Sequence, residues 1–304
     1  MSNAPSVYII ILTWNDKVCV LECIESMLKQ DYPNYKTIVV DNASVDGSQE
    51  AIQAQYPQVH LIANESNLGF AGGNNVGLDY ALKEGADWTI IINNDTIVAP
   101  DMVSELMKAA LEQGADMAGP MMYYYPPKGP GKEVIWYAGG IINYFMGKSA
   151  HVGIREVDTG QYSRVCDTDY ITGCCILTSR RLLEKIGFMD EGFKPIYAED
   201  ADWSAKAKEA GYRLLFVPKA LLWHKVTASS GGGLTPFKVY YKIRNNLKFF
   251  KRHAKFYHWL TIPFFIVLGG CAFVIKSAAS GNFKDIATFI KGIFVPKRVQ
   301  AKKP

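Results

Sequence analysis

The stretch Val7-Tyr8-Ile9-Ile10-Ile11-Leu12-Thr13-Trp14-Asn15 decides the fold. A strand with one wet face alternates polar and apolar residues, but Val7–Leu12 is apolar throughout and rich in β-branched types. Such a run is buried on both faces, as in a parallel sheet covered by helices. Three more runs follow: Lys36–Val40, ending on Asp41-Asn42-Ala43-Ser44; Val59–Ala63; and Trp88–Ile92, ending on Asn93-Asn94-Asp95. Helical segments separate them. Asp16 is placed to cap a helix reaching about Gln30, with Leu21, Ile24 and Leu28 on one face. Asp46–Gln55, Phe70–Lys83 and a helix entered through Pro100 and ending near Gln113 complete the set. Strand and helix alternating in this way predict an α/β fold, a doubly wound, mostly parallel sheet with right-handed crossovers.

Downstream the pattern loosens. From Pro120 to Thr168, Tyr123-Tyr124-Tyr125-Pro126-Pro127 and Gly129-Pro130-Gly131 read as loop chemistry, with short β-like runs at Glu133–Tyr137 and His151–Glu156. This reads as an insertion covering the sheet edge. Tyr170–Thr178 reads as a strand broken by Gly173, Glu199–Ala210 as a helix stopped by Gly211, and Arg213–Val217 as the last strand, before Leu222-Trp223-His224. Ser229-Ser230-Gly231-Gly232-Gly233 is a flexible break that divides residues 1–233 from a tail, 234–304.

Charge supports the division. The 304 residues carry a net +4, but from Phe237 onward there are 14 Lys and Arg against one acid, Asp285, which leaves the preceding body acidic. A basic tail on an acidic body meets something anionic. Composition is ordinary for a globular chain, which excludes disordered and collagen-like classes. The six cysteines form no C-x-x-C pair and read as small buried hydrophobes in a reducing compartment. The run at Val7 has no basic region before it and is not expected to be a signal peptide.

Three polar strand ends on one sheet edge mark a ligand site, because open α/β sheets bind beyond the carboxyl ends of their strands. Asp95 offers a hard oxygen ligand suited to Mg²⁺ or Mn²⁺, and equally reads as a cap for the turn before Pro100. Glu199-Asp200-Ala201-Asp202-Trp203 gathers three acids at a helix start. The helix dipole favours them there, while their mutual repulsion suits one to general-base work. His224 gains meaning only if it faces the same edge as Asp95. Asn67-Leu68-Gly69-Phe70-Ala71-Gly72-Gly73-Asn74-Asn75 is a glycine-rich helix start whose N–H groups can meet phosphate, but it has neither G-x-G-x-x-G nor G-K-[ST] spacing.

Taken in order, Thr13-Trp14-Asn15, Asp41-Asn42-Ala43-Ser44, Asn67-Leu68-Gly69-Phe70-Ala71-Gly72-Gly73-Asn74, Asn93-Asn94-Asp95, Gly173-Cys174-Cys175, Glu199-Asp200-x-Asp202 and Trp223-His224 resemble the inverting family 2 glycosyltransferases, and most of all their rhamnosyltransferase-like branch. The resemblance covers about residues 6 to 250, including a Tyr240-Tyr241-Lys242-Ile243-Arg244-Asn245 element. It implies a GT-A fold and a nucleotide-diphosphate-sugar donor. It assigns Thr13, Trp14, Asn15, Asp41, Asn42, Ser44, Asn67, Gly72, Asn74, Asn94 and Arg244 to the donor. It assigns Asp95 and His224 to a Mg²⁺ or Mn²⁺ ion, Asp200 to the general base, and Asp202, Trp203 and Gly173 to acceptor-site or supporting roles. Asn93 stands where the family's Asp-x-Asp motif has its first acid. The implied reaction transfers a sugar, with L-rhamnose from dTDP-rhamnose foremost, to a lipid-linked saccharide acceptor in cell-surface polysaccharide synthesis. A UDP-hexose donor, a sugar-nucleotide nucleotidyltransferase and a non-catalytic membrane-bound binding module are the alternatives. The nucleotidyltransferase lacks its glycine-rich Arg- and Lys-bearing loop after the first strand, and the Asp95, Asp200 and His224 set speaks against the module.

The tail holds 17 apolar residues, Trp259–Ile275, interrupted by Pro263 and Gly269-Gly270 and preceded by Lys248-Phe249-Phe250-Lys251-Arg252-His253-Ala254-Lys255. A spanning helix needs about 20 residues, so a re-entrant or in-plane segment is the expectation. Phe283, Ile286, Ile290, Ile293 and Phe294 then fall on one helical face. This places the chain on the cytoplasmic face of a membrane, with dimerisation through the tail as the other use of such helices. Nucleic acid is not expected as a partner, because no RRM, KH or helix-turn-helix signature is present.

Overall fold

In the computed structural model, residues 4–126, 133–226 and 235–293 are described. They fall into two compact units, one within 1–141, 150–194 and 199–230, the other within 142–149, 195–198 and 231–304. The expected breaks at Gly129-Pro130-Gly131 and Ser229–Gly233, and Phe294, lie outside the described residues.

The first unit opens β1 (Val7–Thr13), α1 (Lys17–Met27), β2 (Tyr35–Asp41), α2 (Ser48–Gln55), β3 (His60–Ala63), α3 (Gly69–Lys83), β4 (Trp88–Asn93), β5 (Thr96–Val98) and α4 (Met102–Gln113). It continues with β6 (Met117–Tyr124), β7 (Ile135–Tyr137), β8 (Gly140–Asn143), β9 (Lys148–His151), β10 (Cys166–Asp167), β11 (Cys175–Ser179), α5 (Arg180–Ile186), α6 (Glu199–Glu209) and β12 (Leu214–His224). The main sheet runs β10-β12-β6-β11-β4-β1-β2-β3, with β5 on β12 and β7 on β6, while β8 and β9 pair separately. Strands β1 to β4 are parallel, β11 is antiparallel to β4, and β12 is parallel to β6.

The alternation along β1 shows why its sequence is apolar on every residue. Val7, Ile9 and Ile11 join one core with α1 and α4, while Tyr8 and Ile10 join the core on the other face with α3, α5 and α6. Both faces are covered, as the run predicts.

Five expectations are corrected. The segment from Pro120 is not all insertion: β6 is a buried strand reaching Tyr124, paired with β11 and β12. The run His151–Glu156 is the end of β9 and a turn, and Tyr170–Gly173 is a connection, with the strand starting only at Cys175. The last strand continues through Pro218 to His224, because a register shift between Val217 and Leu221 takes up the irregular residues. Asp16 stands at the start of α1 but makes no side-chain cap bond. Helix α5 was not anticipated, although the Ser179 side chain caps it by accepting from Leu182 N. Of the cysteines, Cys19, Cys23, Cys174 and Cys175 are buried, and Cys166 and Cys271 are exposed. Burial pushes the Cys19 and Cys23 thiols up to about 12, so neither is a ready nucleophile.

The second unit holds α7 (Pro236–His253), α8 (Ile262–Ala279) and α9 (Phe283–Ile293), with the tip of the β8–β9 hairpin. Tyr144 stacks on Phe249 and His258, and the Asn246 side chain donates to Gly147 O at 3.1 Å. Helix α8 is 18 residues with mean hydropathy 1.9, and 6% of it is buried.

Glycines Gly73 and Gly77, one turn apart, seat α3 on the sheet. A Cβ on Gly77 would lie 2.4 Å from Ile10 Cγ2, a stiff side chain in the middle of β1. Gly77→Ala is expected to lower the unfolding free energy by about 1–2 kcal/mol, overpacking outweighing the gain in helix propensity. Urea unfolding followed by circular dichroism measures it, and an unchanged or raised midpoint refutes this seating.

Candidate active site

Flush strand ends create the site. Thr13 pairs with Asp41 across β1 and β2, and Leu12 with Asn93 across β1 and β4, so three polar termini share one edge. Asn42 N donates to Thr13 O at 2.9 Å, and the Asn94 amide donates to Thr13 Oγ1 at 3.3 Å. Thr13 thus joins the β2 and β4 ends.

On the β2 side a loop is held in place by Asp41, which is fully buried. Its carboxylate accepts from Ser44 N at 2.9 Å, from the Ser44 hydroxyl and from the Gln49 amide. Asn15 N donates to Ser44 Oγ at 2.8 Å, and Asn15 Oδ1 accepts from Val45 N at 2.8 Å. Asn15 and Ala43 have φ of 51° and 63°, a left-handed geometry that Asn accepts readily and Ala does not. Trp14 stands 40% exposed beside them. Asn42 donates to Gly69 O at 3.1 Å and accepts from the Asn64 amide at 2.9 Å, which fixes the start of α3.

The glycine-rich stretch behaves differently from a phosphate loop. Gly72, Gly73 and Asn74 already lie within α3, and Cβ atoms on the two glycines would meet Leu68 at 2.9 Å and Leu12 at 2.4 Å. Close packing explains the glycines here. Asn67 Oδ1 accepts from Gly69 N at 2.8 Å, and the Asn74 amide donates to Phe70 O at 3.0 Å, leaving Asn74 Oδ1 buried without a hydrogen-bond partner among the described residues.

Asp95 and His224 meet because β5 and β12 pair antiparallel in a register that sets Thr96 opposite His224. Asp95 Oδ1 lies 3.2 Å from His224 Nε2, and both side chains are buried. Lys225 N donates to Asp95 O at 2.9 Å. One carboxylate and one imidazole are donors that Mg²⁺ or Mn²⁺ could take, and among the described residues no group of three or more His, Cys, Asp or Glu is gathered. These ions take few protein ligands and complete their shells with substrate phosphates and water.

Asp200 reaches this edge by another route. Cys174 O accepts from Asn93 N at 2.9 Å, and Gly173 N donates to Asp200 Oδ2 at 2.9 Å. The Gly173-Cys174 turn therefore ties the end of β4 to the start of α6. Asp202 pairs with Lys206 at 2.9 Å and is fully buried. Trp203 is core, its indole N–H donating to Gly187 O at 2.9 Å. Both side chains are buried. Arg244 belongs to the second unit, on α7, where it donates to Asn245 Oδ1 at 2.9 Å and stacks on Tyr241. Asn245 is fully buried and its amide donates to Ile196 O at 2.8 Å, a structural clasp.

Sequence reasoning did not assign Glu199. Its carboxyl is buried, Oε2 has no hydrogen-bond partner among the described residues, and burial first, then the charge of Asp200, holds its proton well above the usual carboxylate range. Tyr197 and Ala198 just before it have φ of 84° and 68°. Strain of this kind gathers at functional sites.

With this geometry in view, the chain belongs to the family described as Glycosyl transferase family 2, whose profile matches residues 8–187. Its sheet is that of the GT-A glycosyltransferases. It is 25% identical over 79% of its length to the dTDP-rhamnosyl transferase RfbF of Shigella flexneri, covering 78% of that protein. It is 26% identical over 64% of its length to the N-acetylglucosaminyl-diphospho-decaprenol L-rhamnosyltransferase of Mycobacterium tuberculosis, covering 67% of it. Against the uncharacterized protein y4gI of Sinorhizobium fredii it is 26% identical over 84% of itself, yet spans 28% of that longer chain. Among solved structures, the mannosyltransferase PcManGT from Pyrobaculum calidifontis, in complex with GDP-Man and Mn²⁺, superposes with a TM-score of 0.60 at 16% identity, over 96% of this chain and 86% of that one.

The protonated state of Glu199 gives a pH prediction. A folded-state pKa above the unfolded value means that stability is full below the unfolded pKa and is lost as pH rises towards the folded one. Glu199→Gln is therefore expected to melt higher than wild type at pH 8, with the difference shrinking towards pH 4.5. Melting curves across that range test it, and a difference independent of pH contradicts the burial argument.

Proposed function

We propose that this chain is an inverting glycosyltransferase that moves L-rhamnose from dTDP-rhamnose to a lipid-linked saccharide at the cytoplasmic face of a membrane. One observation carries the reading: a buried Asp95–His224 pair and the Asp200 carboxylate are both tied to the end of β4, at the edge where the polar ends of β1 and β2 also lie. The two rhamnosyltransferases among the relatives support the donor, and the decaprenol-linked substrate in the name of one supports the acceptor.

The chemistry follows from the residue types. The donor lies on the Thr13–Asn15 and Asp41–Ser44 loops, with Asn94 beside them. Asp95 and His224 would hold a divalent cation. When bound, that ion supplies positive charge to a departing diphosphate. Asp200, kept in place by Gly173 N, takes the proton of the acceptor hydroxyl as its oxygen attacks the anomeric carbon. One in-line displacement inverts that centre and releases the nucleoside diphosphate, so no second carboxylate nucleophile is needed. Glu199, beside it, has its proton held well above the usual carboxylate range by burial and by the charge of Asp200.

Asp200→Asn is expected to cut kcat by about 10²–10⁴-fold while nucleotide-sugar affinity stays unchanged. Turnover with dTDP-rhamnose, UDP-glucose, UDP-galactose and GDP-mannose, with Mn²⁺ or EDTA, reads this together with donor choice. Preference for a UDP- or GDP-sugar discards rhamnose; full activity of the variant discards the base.

For the tail, Phe264, Val267, Leu268 and Ile275 on α8 and Phe283 and Ile290 on α9 are exposed, and basic residues cluster in the last turn of α7. This favours anchoring in an anionic leaflet. The protein is expected to co-sediment with phosphatidylglycerol vesicles and less with phosphatidylcholine vesicles; equal partitioning between the two removes the electrostatic part of the reading.

A further inference from the structure

A histidine that holds a metal normally has its other ring nitrogen fixed by a hydrogen bond to a carboxylate, carbonyl or water. His224 does not follow that pattern. Nε2 faces Asp95 at 3.2 Å, while Nδ1 is buried without a hydrogen-bond partner among the described residues. What the ring does have is Trp136. The indole stands perpendicular to the imidazole, centroids 4.4 Å apart at 83°. Perpendicular aromatic contacts are favoured by the ring quadrupoles, and they fix orientation as well as position.

Trp136 is in turn secured. It lies in the middle of β7, which pairs with β6 through Tyr137 opposite Met122 and Ile135 opposite Tyr123. Its carbonyl oxygen is 3.1 Å from His151 Nδ1, and its ring meets the His151 ring perpendicularly at 4.6 Å. Its neighbour Tyr137 is fully buried and donates to Tyr170 O at 2.8 Å. Strand β7 therefore presents Trp136 to His224 on a rigid support, from a part of the chain that contributes no metal ligand.

We infer that Trp136 is a positioning residue for the cation and diphosphate site: it sets the His224 ring in place of the hydrogen bond that Nδ1 lacks, and His151 steadies Trp136. The inference rests on the proposed role of Asp95 and His224. The measurement is Mn²⁺ binding, read from the electron paramagnetic resonance signal of the free ion, with Mn²⁺ alone and with Mn²⁺ plus dTDP. Trp136→Leu, which stays apolar but loses the aromatic ring and its quadrupole, is expected to weaken Mn²⁺ binding about tenfold, within the range for outer residues of metal sites. Trp136→Phe is expected to restore most of it. In turnover, Trp136→Leu should raise the Mn²⁺ concentration for half-maximal rate and leave kcat at saturating Mn²⁺ largely intact, a split that a merely loosened fold does not produce. His224→Gln is the control. If His224→Gln weakens Mn²⁺ binding and Trp136→Leu does not, the positioning role is overturned while the metal assignment stands. If neither does, the metal assignment falls and takes this inference with it. Should Trp136→Leu not fold, His151→Phe, which removes the bond to the Trp136 carbonyl, is read in the same way, and unchanged Mn²⁺ binding there overturns the inference.

Discussion

The short antiparallel ladder between β5 and β12 is the contact on which the site depends. Strand β5 has three residues, too few to persist alone. Pairing Thr96 with His224 and Val98 with Leu222 fixes the turn that carries Asp95 and brings to it a histidine from the far end of the first unit's last strand. Because the side-chain period of a strand is two residues, a slip of one position would turn His224 to the opposite face. The register is held from behind by Leu222, which is fully buried, and by the parallel pairing of β12 with β6 through Trp223 and His224.

The acids at the start of α6 show how neighbours of one chemical type receive different work. Asp200 Oδ2 accepts the Gly173 N–H at 2.9 Å. Glu199 is buried with an oxygen unsatisfied, which favours its neutral form. Asp202 is buried but salted to Lys206. The sequence shows three carboxylates in four positions, and only their surroundings tell them apart.

What could be read from residues alone follows the same physics. Strands β1, β2 and β4 were legible because burial on both faces demands unbroken apolar runs, and the polar ends of those runs marked the site edge. Strand β6 was not, since Gly119 and Pro120 and the following tyrosines mimic loop chemistry; only pairing on both sides makes it a strand. Strand β12 was cut short at Pro218 for a similar reason, and the irregularity that accommodates it is a property of the sheet. The glycines of α3 carried an ambiguous signal, because a residue without Cβ serves both close approach to phosphate and close approach to a neighbouring strand. Gly73 and Gly77 meet Leu12 and Ile10, which decides for the second. Trp136 fell within the short β-like run Glu133–Tyr137, but nothing in that run pointed to His224, because the contact between them exists only in three dimensions.

The second unit places a physical demand of its own. An apolar helix in a soluble core is mostly covered, whereas α8 is 6% buried, with Phe264 and Val267 about two-thirds exposed. Burying apolar surface stabilises by roughly 25 cal/mol per Å², so a helix of this composition left in water forfeits much of what its sequence offers. Eighteen residues at 1.5 Å each extend about 27 Å, slightly short of a hydrocarbon core of about 30 Å. Helix α9 is too short to cross, yet it holds Phe283 and Ile290 exposed and packs on α7 through Gly292 against Val239. A short apolar helix beside an amphipathic one suits an interface better than a clean span.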